Sequence, residues 1–358
     1  MCETPVLDLK EVKDLRSILL VRLFALGDIV LTLPLVREFR ESFPDAWIGY
    51  LVKERFAGAL SGETGLDEVI PLPDSAPGQL ATIRRMRRKK YDVAVDMLSS
   101  PRSALLTRFC GAGLRIGMDT GRRNGYYHKV LPRAIIRDGN RVRCYTVDCN
   151  LELCRMLGLQ ASGMEDRMAG GNPFGFPAAE TASEWARSFA ASLGDTGNGL
   201  AGIVPGSTYP SKGWPVERFI ELSKRISGEL GLRPVIMWGP GEEGLAEEIA
   251  AGVPGAVVPP ATGVAEAGAL IGLMKILIGI DSGPKHIAVL LGVPTVTLFG
   301  PTDPRFWDPM NERHRALWKG LECAEGCRDK DCTPNRCMDM ITADEVFNEA
   351  RDLIGGDA

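Results

Sequence analysis

Two α/β domains, each built on a parallel sheet, are predicted by three observations. The chain has 358 residues, more than one hydrophobic core ordinarily serves. Short continuous apolar runs alternate with stretches of helical spacing, the pattern of strands buried on both faces and joined by helices. After a Gly- and Pro-rich break the same alternation begins again. Hydrophobic content of 45% and charged content of 25% describe a globular chain, not a disordered one.

In order, "SILLVRL" reads as a fully buried strand. "DIVLTLPLVREFRESF" has helical spacing, with Pro34 tolerable only near its first turns. "AWIGYLV", helices over 53–60 and 78–89, and "YDVAVDM" continue a series of βαβ units through residues 1–170. The break "GGNPFGFPA" supplies a linker over 171–178. A second domain over 179–340 contains the strands "GLAGIVPG", "RPVIMWG", "GAVVP", "KILIGI" and "PTVTLFG". Its helix "PVERFIELSKRISGEL" has Pro215 placed for the first turn. Residues 341–358 end in a helix, "TADEVFNEARDLI", which Thr342 and Glu345 open in capping-box spacing. Both halves thus read as Rossmann-like domains facing a central cleft, with ligands expected beyond the carboxyl ends of the strands.

Several function classes are disfavoured. No run approaches about 18 uninterrupted apolar residues, so no membrane-spanning helix is expected. The first residues, "MCETPVLDLKEVKDLRS", are acidic and lack an apolar core, which is unlike a secretory signal and points to a reducing, cytoplasmic location. Charge is uneven: residues 1–170 carry 26 Lys and Arg against 21 Asp and Glu, or +5, and the remainder carries −9. A basic first half suits an acidic partner. It lacks the interleaved aromatics of a nucleic-acid surface. "GAGLRIG" (111–117) is only a weak relative of a dinucleotide fingerprint, and no metalloprotease, hydrolase or calcium-loop pattern is present.

Three loops carry candidate chemistry. Gly27 and Asp28 follow the first strand, where Asp28 is placed either to cap a helix or to act as a base on a cleft-facing loop. In "VPGSTYPSKGWP" (204–215), Gly206, Ser207, Thr208 and Lys212 combine backbone N–H groups, hydroxyls and an ammonium. That set suits a phosphate, although the order of Lys212 and Gly213 does not match a Walker A loop. A solvated surface turn is the alternative. In "GIDSGPKHIAVLLGVPTVTLFGPTDP" (279–304), a strand ends at Asp281 and a helix opens at Ser282 and Gly283, an anion-binding arrangement. It also bears His286, one of three histidines in the chain.

These loops, together with "LLVRLFALGDIVLTLPLVREFRESFPDAWIGYLV", resemble glycosyltransferase family 9, the ADP-heptose:lipopolysaccharide heptosyltransferases, over nearly the whole chain. The resemblance implies a GT-B fold, with the donor held mainly by the second domain and the acceptor mainly by the first. It also implies a final helix packed back on the first domain. By position, Asp28 is implied as general base and Lys212, with Ser207, Thr208, Gly206 and the N–H groups at Ser282 and Gly283, as stabiliser of the departing diphosphate. Glu242, in "WGPGEEG", would hold the nucleotide ribose, Asp281 the sugar, and His286 would support the phosphate loop. One displacement would invert the anomeric centre with no metal or cofactor. Gly27, Arg102, Arg122 and Arg123 are acceptor-side candidates for an anionic lipid-linked or core oligosaccharide. The basic run "RRMRRKK" (84–90) suits that acceptor, peripheral contact with an anionic membrane, or simple solvation. A sugar-nucleotide epimerase and a non-catalytic nucleotide-sugar-binding protein share the same fold.

Nine cysteines complete the inventory. Cys323, Cys327, Cys332 and Cys337, in a loop over 323–337, loosely match structural zinc spacing, with thiols or a disulfide as alternatives. Cys144, Cys149 and Cys154 recur every five residues, which holds no helical face, and read as ordinary small residues.

Overall fold

The structure, a computed structural model, describes residues 7–13, 15–132, 136–137, 140–141, 144–161, 175–207, 209–324, 332 and 335–355. The chain divides into two units, Met1–Gly170 and Gly171–Ala358.

The first unit runs β1 (Ser17–Val21), α1 (Leu26–Val30), α2 (Leu33–Ser42), β2 (Trp47–Lys53), β3 (Glu68–Leu72), α3 (Ala76–Lys89), β4 (Val93–Asp96), α4 (Pro101–Phe109), β5 (Leu114–Met118), β6 (Lys129–Leu131), β7 (Ile136–Arg137), β8 (Asn140–Arg141) and α5 (Thr146–Met156). Its main sheet has the order β3-β2-β1-β4-β5-β6 with every neighbouring pair parallel. β7 and β8 form a separate antiparallel pair. All five residues of β1 are buried, which is why the four after Ser17 are all apolar and the strand does not alternate. α3 and α4 contribute Met86, Leu106 and, just past the end of α4, Cys110 to a core with Leu19, Val21 and Leu51.

The second unit runs α6 (Glu180–Ser192), β9 (Leu200–Val204), α7 (Val216–Leu230), β10 (Arg233–Ile236), α8 (Glu243–Ala251), α9 (Val264–Ile271), β11 (Met274–Ile280), α10 (Gly283–Leu291), β12 (Thr295–Phe299), α11 (Pro304–Trp307), β13 (His314–Trp318), α12 (Arg336–Asp339) and α13 (Ala343–Gly355). Its sheet order is β10-β9-β11-β12-β13, again all parallel. β9 and β11 approach so closely that a Cβ on Gly279 would strike the carbonyl of Val204, so glycine is required there. The apolar stripe of α13, Val346, Phe347, Ala350 and Leu353, is buried in this unit's own core with Phe219 and Leu222 of α7. Trp214 ties the preceding turn down by donating its indole N–H to the carbonyl of Ile341 at 2.9 Å.

Both sheets are parallel α/β layers, as the apolar runs require, but several elements differ from their sequence reading. The long helix after β1 is two helices, because Pro34 has no N–H and its ring clashes with the carbonyl four residues back; it sits instead in the first turn of α2. Residues 54–60 form a 3-10 helix. "GAVVP" is not a strand: only Val257 bridges to Val235. Pro215 caps α7 and does not enter it. Cys144 and Cys149 are joined in a disulfide, which the five-residue spacing gave no reason to expect, while Cys154 is buried. No helix among the described residues is long and apolar enough to cross a membrane.

The capping box at α13 forms as expected: Glu345 N–H donates to Thr342 Oγ1 at 3.2 Å, and Thr342 N–H to Glu345 Oε2 at 2.9 Å. Thr342→Ala should cost about 1 kcal/mol. It should appear as a lower urea midpoint with an unchanged slope; an unchanged midpoint would show that packing alone holds the helix.

Candidate active site

Strand order places the candidate loops. In the first sheet the chain moves outward through β2 and β3 on one side of β1 and through β4, β5 and β6 on the other. In the second it reverses between β9 and β11. Loops leaving the carboxyl ends of the strands on either side of such a reversal diverge and leave room for a ligand.

In the first unit Asp28 is not the N-cap of its helix. Ala25 takes that position, and Asp28 lies one turn in, accepting the Ala25 N–H at 3.3 Å. Its other oxygen meets the Arg22 guanidinium at 2.7 Å, with the two side chains 23% and 17% exposed. Arg22 is therefore folded onto Asp28 and only partly exposed. It also donates to the carbonyl of Met97 at 2.9 Å, joining the loop after β1 to the loop after β4. Gly27 lies inside α1 and accepts from Leu31 N–H. The carboxylate is thus fixed by a capping bond and a bidentate-capable cation, yet part of it stays open.

The end of β4 carries a carboxylate that sequence reasoning passed over. Asp96 is buried and accepts from Ser99 N–H at 2.8 Å, Leu98 N–H at 3.0 Å and the Tyr127 hydroxyl at 2.8 Å. Burial raises its pKa, partly offset by those donors. The turn it fixes holds Ser99 at φ 48°, and the Ser99 carbonyl accepts from Arg123 Nε at 2.8 Å. Arg123 is therefore oriented by the β4 turn. Arg102 lies on α4, 3.9 Å from Asp74, which Lys53 also binds at 2.8 Å. Arg122 is exposed. The basic run 84–90 does not join these loops. It forms the exposed last turns of α3, and Lys89 lies 3.6 Å from the ring of Trp47, the first residue of β2. A helix returning between parallel strands ends at their amino edge, opposite the candidate loops.

The second unit gathers its loops more tightly. Lys212 donates to Asp281 Oδ2 at 2.7 Å and to the Asp281 carbonyl at 3.1 Å, bridging the loops after β9 and β11. Thr302 adds a hydroxyl to Oδ2 at 3.0 Å. Asp281 is buried, which by itself would raise its pKa; Lys212 and then Lys285 overcome this and hold it at about 2. Ser282 caps α10 with its hydroxyl buried and unpartnered, and Gly283 and Pro284 open the helix. His286 is buried, and burial followed by the nearby Lys285 holds its pKa well below 6.5. It is neutral at pH 7 and brings no charge to a phosphate.

Glu242 lies against the loop after β9: a Cβ on Gly206 would overlap its carboxylate, and it accepts the Gly239 N–H at 2.9 Å. Only glycine at 206 admits that approach. Ser207 accepts from Tyr209 N–H at 3.1 Å. Thr208 lies outside the described residues. Cys327 also lies outside them, and among the described residues no group of three or more His, Cys, Asp or Glu is placed to hold a metal ion. The structural zinc finds no support in the geometry.

The glycosyltransferase family 9 (heptosyltransferase) pattern matches residues 79–337. The chain belongs to that family. It is a glycosyltransferase, and its two parallel α/β units are those of the GT-B heptosyltransferases. Lipopolysaccharide heptosyltransferase 3 of Escherichia coli is 28% identical over 90% of this chain and 94% of its own length. A glycosyltransferase family 9 structure from Veillonella parvula has TM-score 0.81 at 23% identity, covering 96% of this chain and 98% of that one. The E. coli heptosyltransferase WaaC, solved with ADP-2-deoxy-2-fluoro heptose, has TM-score 0.68 at 23% identity, covering 96% and 100%.

Sequence reasoning missed Arg22 as the partner of Asp28, and also Asp96, Thr302, Lys285 and Asp308. Lys285 was in view, one residue before His286, but its helix continues as "IAVLL" and shows no polar face.

Asp281 supplies a pH test. Its pKa is lowered on folding from 3.8 to about 2. Its contribution to stability is therefore complete above the ordinary carboxylate range and lost as pH falls from about 4 towards 2. The urea midpoint should fall over that window, and less steeply in Asp281→Asn. Equal slopes in the two proteins would show that this carboxylate is not ion-paired in solution.

Proposed function

We propose that the enzyme moves a heptose from ADP-heptose, or a closely similar ADP-sugar, to an anionic lipopolysaccharide-core acceptor with inversion. The Lys212–Asp281 pair, lying across the strand reversal beside the opening of α10, is the observation that carries this reading. An ammonium, the free N–H groups of a helix start and the Gly206–Ser207 loop form a site for a diphosphate that needs no metal. Glu242, against Gly206, is placed for the ribose hydroxyls. The second domain thus takes the donor and the first the acceptor.

Asp28 removes the proton from the acceptor hydroxyl as its oxygen bonds to the anomeric carbon. The bond from that carbon to the diphosphate oxygen breaks, and its electron pair leaves with ADP, where Lys212 and the α10 N–H groups meet the new charge. Arg22 keeps the Asp28 carboxylate aimed, and the acceptor proton becomes acidic as the new bond forms, so a weak base suffices. Arg102, in the first turn of α4, and Arg122 and Arg123, on the loop after β5, are suited to acidic groups on the acceptor. The relatives named as lipopolysaccharide heptosyltransferases support that acceptor class. The exposed basic end of α3, at the opposite edge of its sheet from these loops, suits an anionic surface and not the acceptor itself.

Purified protein with ADP-heptose and a deacylated core acceptor should release ADP only when acceptor is present. Asp28→Ala should lower kcat about 100-fold or more with donor KM little changed. ADP or free sugar released without acceptor would indicate hydrolysis or epimerisation. Equal turnover by the variant would remove Asp28 from the role of base.

A further inference from the structure

Lys285 has no part in the mechanism above, yet it is among the least accessible charged groups described. Its side chain is 2% exposed and donates to the carbonyl of Trp307. Its ammonium lies 3.4 Å from Asp308 Oδ2, 3.8 Å from Asp281 Oδ1 and 5.2 Å from the centre of the Phe299 ring. Asp308 is buried as well, and its other oxygen accepts the Met310 N–H at 2.9 Å. An ammonium is strongly penalised in such a place unless paired. Here burial lowers its pKa while Asp308 and Asp281 oppose the loss of charge.

The geometry at Asp281 shows what this arrangement provides. Oδ2 is taken by Lys212 and Thr302, whereas Oδ1 makes no hydrogen bond and faces Lys285 at 3.8 Å and His286 Nε2 at 3.9 Å. His286 is neutral, so Lys285 is the cation on that side. Lys212 must give up its bonds to Asp281, at least in part, to bind a diphosphate. Were Lys212 the sole counter-ion, its departure would strand a buried carboxylate and so oppose donor binding.

We propose that Lys285, fixed by Asp308, is the standing counter-ion of Asp281, which frees Lys212 to transfer to the donor diphosphate. The assignment rests on the reading of Lys212 as the diphosphate ligand. Lys285 is a positioning residue: it acts through Lys212 and touches no substrate. The pair it forms with Asp308 carries no net charge, so its long-range pull on an anion is small. Its effect is local, on the balance of Lys212 between Asp281 and phosphate.

The test is calorimetric binding of ADP and of adenosine to the full-length protein, the double variant Lys285→Met/Asp308→Asn, the variant Lys212→Met, and all three changes combined. The double variant leaves net charge unchanged, and the carboxamide oxygen introduced by Asp308→Asn can still accept the Met310 N–H. It should bind ADP at least 10-fold more weakly than the unsubstituted protein while its adenosine affinity is unchanged, since adenosine does not require Lys212 to move. Adding the double change to Lys212→Met should cause no further loss, because the route through Lys212 is already gone. Parallel loss of ADP and adenosine affinity would mark a packing role and overturn the proposal. So would full ADP affinity in the double variant, or additive losses in the combined variant, both leaving the diphosphate reading intact. Should the unsubstituted protein bind ADP no more tightly than adenosine, the diphosphate reading itself falls and takes this role with it.

Discussion

Uniform strand direction is the constraint from which the rest of the structure follows. Each main sheet is parallel throughout, so all its strands deliver their carboxyl ends, and the starts of the next helices, to one edge. Interior strand positions are buried on both faces and admit no charged residue in β1, β9 and β12, which are buried along their whole length and carry only hydroxyls as polar groups. Charged groups enter where the strand stops. Arg22 is the first residue beyond β1, Asp96 the last of β4, and Asp281 the first beyond β11. The chemistry lies at strand ends because those are the places where the packing tolerates it.

The two clusters at these edges are balanced differently. Asp28 and Arg22 remain partly open to solvent, so water shares in stabilising their charges and the pair holds geometry more than energy. Asp281, Lys285 and Asp308 are nearly closed off. There the loss of hydration costs several kcal/mol for each ion, and an unpaired member would not remain charged. Two ammonium groups against two carboxylates, with a neutral histidine beside them, satisfy that requirement. A partly open carboxylate suits a group that must meet a proton on an incoming hydroxyl. A closed environment suits Asp281, Lys285 and Asp308, which hold still while Lys212 shifts and charge develops beside them.

How much of this was legible in the sequence follows from the range of each interaction. Asp28, Lys212, Asp281 and Ser282 stood out because each lies within a few residues of an apolar run that ends abruptly, a local signal. Pro34 should have broken the first helix in the reading too, since the clash with the carbonyl four residues back is a local effect. Lys285 gave no such signal: its stabilising partner, Asp308, is 23 residues on, past β12. Asp96 was quoted as the end of a strand, but Tyr127, which meets it, is 31 residues away. The pairing of Cys144 with Cys149 escaped for a different reason, because spacing alone sets no direction for two thiols. The strands β3, β5, β6 and β13 were missed because a charged residue, proline or glycine interrupts sequences such as "EVIPL" and "LRIGM", which lack the continuous apolar run that marks β1.

The strand reversal also explains why contacts across it matter more than contacts within either loop. The loops after β9 and β11 leave neighbouring strands in the same direction and share no covalent link near the site. Without a bond between them each would have to be ordered by the ligand, and that ordering would weaken binding. The Lys212 ammonium, held by both the carboxylate and the carbonyl of Asp281, joins them beforehand, much as Arg22 joins the loops after β1 and β4 by holding Asp28 and the Met97 carbonyl together. Each unit thus spans its reversal with one long cation and one carboxylate. In the second unit the cation is also the group the ligand needs, so the bond that orders the site must yield when the site is used. A second cation held behind the carboxylate resolves that conflict.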